Sequence, residues 1–202
     1  MVMRMTRRAA LGGIVLAVAG CGAPVQGPGD APANSFSTST SGDAQIAALQ
    51  AAILSLGDDV SPDEAARVAR IAVQDPLVWA QEWGAVDRPL IHNIQVNTGA
   101  KPRGLCKDWA DDLEARLRRE GLHSLELHRA IANSTNIRIE HSTVIVTRRG
   151  APMDSGIVLD PWRRGQGRLY YVKVTEDPKY HWIARAEVFA MKRARAARRG
   201  RD

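Results

Sequence analysis

The sequence predicts an α+β fold in which N-terminal helices, one of them carrying a cysteine at its start, pack on an antiparallel β-sheet. Two features lead there. Up to about residue 121 the apolar residues recur every three or four positions, the period of a helix face. Beyond it they alternate in short runs divided by Gly, Asn, Asp and Pro, the pattern of strands and turns. Helices first and strands after, with no helical segment between the strands, favour an antiparallel sheet over crossover-linked parallel pairs.

Taken in order, Ile46, Leu49, Ile53 and Leu56 fall on one helix face, and Gly57 is a C-terminal stop. Ser61-Pro62-Asp63-Glu64 opens a second helix, with Ser61 as cap, Pro62 in the first position and Glu64 reaching back to the cap. Asp75-Pro76 is expected to break or restart it, and Trp79 and Trp83 share a face that belongs in the core. Leu105, Trp109, Leu113 and Leu117 step by four up to Gly121 and define the helix that carries Cys106. The alternating runs follow: Leu125 and Leu127; Ile137 and Ile139, continuing to Thr147; Ile157 to Leu159; and Leu169 to Val174. Tyr180 to about Arg199 is expected to be helical.

The flanks carry an address. Arg4, Arg7 and Arg8 precede the small apolar run Ala9 to Ala19, which closes on Val18-Ala19-Gly20-Cys21. The segment resembles a bacterial lipoprotein signal peptide with its lipobox, and Thr6-Arg7-Arg8 hints at twin-arginine export. That resemblance implies cleavage before Cys21 and diacylglycerol on its sulfur, hence a lipid anchor in the bacterial envelope. The apolar run is shorter than the roughly 20 residues a membrane-spanning helix needs. The expected division is a signal at 1–20, a tether at 21–42, a folded domain at 43–190 and a basic tail at 191–202. The Gly-, Pro-, Ser- and Thr-rich tether would reach about 25 Å.

The net charge of +6 sits at the ends, in the signal arginines and in the run from Lys192 to Arg201. Residues 21–190 are left slightly acidic, which together with export argues against a nucleic-acid partner. No metal site or cofactor is expected: His123 and His128 would face opposite sides of a strand, and no zinc-ligand spacing occurs. The carboxylates Asp108, Asp111, Asp112 and Glu114 suit the start of a helix.

The chain has two cysteines, so with Cys21 lipidated Cys106 has no disulfide partner. Cys106 opens a helix, where unpaired N–H groups and the helix dipole favour a thiolate nucleophile. His141 lies in a strand, on the side of Ile139 and Thr143, and would meet the thiol if the Cys106 helix packs on that face. Asp160 ends the next strand, before Pro161-Trp162, where it could orient the imidazole.

Gly104-Leu105-Cys106-Lys107-Asp108-Trp109-Ala110, Glu140-His141-Ser142-Thr143-Val144 and Leu159-Asp160-Pro161-Trp162 occur in this order, and together they resemble the transglutaminase-like, papain-related cysteine enzymes. The resemblance covers residues 90–175. It implies Cys106 as nucleophile, His141 as general base and acid, and Asp160 as orienter. Gln95 and Asn97 are the candidates for the upstream polar residue that lines the oxyanion hole. The expected activity is hydrolysis of a peptide or amide bond in an envelope protein or peptide. The alternatives are a non-catalytic envelope-binding lipoprotein on the same fold and a protein-crosslinking transglutaminase.

Overall fold

The computed structural model describes residues 35–136 and 139–200, with side chains from residue 42 onward. The expected signal, the lipobox and Cys21 lie outside the described residues. Helix α1 spans Ser35–Leu54 and so begins ahead of Asp43, inside the stretch expected to be tether. Leu49 and Ile53 are fully buried, and once that face is fixed each residue added upstream gains a backbone hydrogen bond without a new nucleation step.

Helix α2 spans Pro62–Glu82, with the Ser61 hydroxyl accepting from the Glu64 N–H at 3.4 Å. Glu64 does not reach back to the cap. Its carboxylate turns to the loop after the fourth helix and accepts from His123 N, Ser124 N and Ser124 Oγ at 2.7, 2.9 and 2.7 Å. Ser61 N donates instead to Ser124 Oγ at 2.9 Å, so the start of α2 is stitched to the start of the sheet. Pro76 does not interrupt the helix. Val73, Pro76 and Ala80 are all buried, and packing on both sides of the proline offsets a backbone cost of about 3 kcal/mol.

Helix α3, Pro89–Asn97, has no counterpart among the expected elements; Pro89 occupies its first turn. Helix α4 is Cys106–Arg118. Five strands follow, β1 Leu125–Ala132, β2 His141–Arg148, β3 Ile157–Asp160, β4 Tyr170–Lys173 and β5 Ile183–Ala184, and then helix α5, Arg185–Arg199. The sheet order is β4-β3-β2-β1-β5, with every pairing antiparallel. The fold is thus α+β, as the period change in the sequence predicts.

Two differences from the expected strands bear on function. Of the strand expected from Ile137 to Thr147, Ile137 lies outside the described residues, Ile139 is a turn residue with 58% exposure, and β2 runs from His141. Helix α5 starts at Arg185 rather than Tyr180, because the chain first pairs β5 with β1.

The faces of the sheet are unequal. Leu125, Val144, Val146, Ile157 and Leu159 form the main core with α1, α2 and α4, the last supplying Ala110, Leu113 and Leu117. Ala130, Ala132, Ile145 and Val158 cluster on the other face with Trp182. His141 alternates with Thr143 and Ile145 and so belongs to this second face.

Candidate active site

The turn Arg103–Asp108 positions the thiol. Gly104 has φ +124°, a left-handed conformation open to glycine, and a Cβ there would collide with His92 Nε2. His92 is buried and donates from Nε2 to Arg103 O at 2.8 Å. Trp109 Nε1 donates to Gly104 O at 2.8 Å, and Asp108 Oδ2 accepts from the N–H groups of Gly104 and Leu105 at 3.1 and 3.0 Å. Asp108 thereby satisfies donors that the helix itself leaves unpaired. Trp109 is locked in turn against Trp83 at a centroid distance of 4.4 Å, and Trp83 stacks on Trp79 at 6.1 Å. Gly104, Asp108 and Trp109 thus each fix the turn that carries Cys106, which is half-buried and free.

Helix α4 packs on the main-core face, opposite to the side His141 faces, so the meeting does not come from helix packing on the histidine's own face. It happens at the end of the sheet. The N-terminus of α4 reaches the first residue of β2, and Cys106 Sγ lies 3.7 Å from Glu140 O. His141 Nε2 is 2.7 Å from Asp160 Oδ2, and its Nδ1 is buried without a hydrogen-bond partner. The imidazole has Trp162, Tyr180 and Trp182 around it at 4.7, 4.8 and 5.5 Å. Burial opposes its protonation, but the charge and hydrogen bond of Asp160, aided by Cys106, push it up to about 9.

Asp160 is 1% exposed. Its Oδ1 accepts from Trp162 N and Arg163 N, and its Oδ2 takes Arg163 Nε at 2.9 Å beside the imidazole. Burial would raise its pKa, yet His141 and Arg163 hold it below the usual carboxylate range. Arg163 continues to Asp177 through two hydrogen bonds, 3.0 and 2.7 Å, and lies 4.1 Å above the Tyr170 ring. Asp177 Oδ2 also accepts from Trp182 Nε1 at 2.9 Å. Arg163, Asp177, Tyr180 and Trp182 escape a motif-based reading; the available signal is the Asp160–Arg163 spacing in the turn after β3.

A cleft of about 670 Å³ opens over Cys106 and His141. Its walls include Pro89, Leu90 and Ile91 of α3, Asn133, Ile139 and Glu140 of the β1–β2 connection, and Trp162 and Tyr180. Neither oxyanion candidate lines it. Gln95 donates from Nε2 to Asp87 Oδ2 at 2.7 Å, and Asn97 is exposed, about 6 Å along α3 from Asn93. Asn93 does line the cleft, and Trp162 Nε1 donates to its Oδ1 at 3.1 Å, so its NH₂ end is the one left for a ligand. Without a predicted helix over 89–97, the residue on the cleft side could not be picked out.

Among the described residues no group of three or more His, Cys, Asp or Glu side chains is arranged to hold a metal ion, and no helix is long and apolar enough to cross a membrane. No family model, curated protein or solved structure matches the chain.

Proposed function

We propose that the protein is a transglutaminase-like cysteine enzyme of the bacterial envelope, anchored through lipidated Cys21, that hydrolyses a peptide or amide bond by acyl transfer to Cys106. The observation that carries this reading is the state of His141. One ring nitrogen is bound to buried Asp160, while the other is buried, unpartnered and close enough to Cys106 for the thiol to shift the ring's protonation. A base of this kind needs one nitrogen anchored by an orienting group and the other left to exchange a proton with the nucleophile.

In the proposed reaction the Cys106 thiolate attacks the carbonyl carbon and forms a C–S bond. The developing oxyanion is held by the Asn93 NH₂ group and by the Cys106 backbone N–H, which has no intrahelical acceptor at the start of α4. The His141 imidazolium gives its proton to the departing amine as the C–N bond breaks. Water then attacks the thioester with His141 as base, and the carboxylate leaves while the thiolate is regenerated. Asp160 keeps the ring oriented and offsets its charge through both protonation states.

The test is the rate at which iodoacetamide alkylates Cys106 at pH 7, located by mass spectrometry. The wild-type protein should react at least tenfold faster than His141→Gln. Equal rates in two folded proteins would remove the enzyme reading.

A further inference from the structure

The cleft has an uneven charge that the proposed chemistry does not use. Arg88 and Lys179 both line it, both are exposed, and neither forms an ion pair with a carboxylate among the described residues. The two come from separate segments, Arg88 from the cap of α3 and Lys179 from the turn after Asp177. The other charged lining groups are already matched: Arg163 to Asp160 and Asp177, and Glu140 to Lys192. Lys179 Nζ lies 5.1 Å from the Tyr180 ring centroid and still has no carboxylate partner, and the same cleft is lined by the exposed aliphatic residues Leu90 at 68% and Ile139 at 58%.

We infer that the cleft selects an anionic acyl substrate, a peptide whose carboxylate lies close to the scissile bond and is received by Arg88 and Lys179. The inference rests on Cys106 being the reactive thiol. Low-dielectric walls strengthen attraction between such a carboxylate and the two cations, and the field of the cleft gathers anions before contact. An acidic side chain and a C-terminal carboxylate offer the same chemistry, so the test separates them.

The first arm compares iodoacetate with iodoacetamide at pH 7. In both reactions the Cys106 sulfur displaces iodide, the C–S bond forming as the C–I bond breaks, and the reagents differ in the negative charge of iodoacetate. The ratio of the iodoacetate rate to the iodoacetamide rate should be at least fivefold higher in wild type than in Arg88→Gln/Lys179→Gln. In wild type alone it should collapse when salt rises from about 0.01 to 1 M, which shortens the screening length from about 30 to about 3 Å. The second arm measures protection of Cys106 from iodoacetamide by blocked tripeptides with central Glu, with central Gln, or with central Gln and a free C-terminal carboxylate. Better protection by the Glu peptide assigns the side-chain source, and better protection by the last assigns the terminal one. A salt-independent ratio unchanged in the double variant, or equal protection by all three peptides, would overturn the inference while leaving Cys106 reactive. An unreactive Cys106 would instead strike at the enzyme reading beneath it.

Discussion

From His141 inward the charges alternate: imidazole, Asp160, Arg163, Asp177. With the ring protonated this buried row is formally neutral, and without the proton it is left anionic. Folding therefore binds a proton. Because the ring is raised from 6.5 to about 9, its stabilisation is complete below pH 6.5 and is lost as pH rises through 9. The melting temperature of wild type should fall between pH 7 and 9.5, while His141→Gln should show a flatter profile by calorimetry; parallel profiles would contradict the assignment. The carboxylate works in the other direction, since Asp160 is held low and its contribution is lost only in acid. Asp160→Ala should cost about 3–5 kcal/mol, the usual penalty for breaking a buried pair, whereas Asp160→Asn keeps an acceptor for some of the donors and should retain more activity. Cys106→Ala and His141→Ala should each reduce turnover at least a thousandfold, read against an unreacted blank. These three residues were legible because each has a local signature: a helix start, a strand, a strand end before proline. Arg163 and Asp177 had none, since what makes them matter is a contact between two turns that local sequence does not encode.

Among the elements, the turn that opens α4 is the most constrained. His92 supports Arg103, Trp109 holds the Gly104 carbonyl, and Asp108 holds two N–H groups, so the backbone around Cys106 has little freedom. Gly104→Ala should destabilise by more than the roughly 1 kcal/mol that a tolerated Gly→Ala change gains, and should slow alkylation of Cys106, because both φ and the space beside His92 are violated. Asp108→Ala should cost about 1 kcal/mol, a lost cap, with thermal denaturation as the measure. The helices α1 and α4 were legible from apolar spacing, and the start of α2 from its capping signal. Helix α3 was not: Leu90, Ile91 and Ile94 stay exposed on it, the first two lining the cleft, so its apolar residues do not trace a core face. The same reversal hid the β1–β2 connection, where Ile139 reads as a strand residue and in fact faces the cleft. Asp75-Pro76 misled in the opposite sense, since a local breaker was overridden by packing that spans it.

At the scale of the molecule, the antiparallel pairing was legible, and the strand order and the assignment of faces were not. Cys106 and His141 approach each other around the end of the sheet, a route that strand parity cannot reveal. The proposed anchor makes a separate prediction: Cys21→Ser should abolish labelling by a fatty-acid analogue and move the protein out of the membrane fraction, and retained labelling would refute the lipobox. The aromatic packing of the site also gives the protein an optical readout of its own. Trp162 and Trp182 both stand within 5.5 Å of the His141 ring, and a protonated imidazole quenches indole emission. Intrinsic fluorescence should therefore brighten as pH passes about 9, with the same step absent from His141→Gln and displaced when a ligand fills the cleft. The charge state of one buried ring could then be followed in solution, without label or substrate, by the light the protein emits.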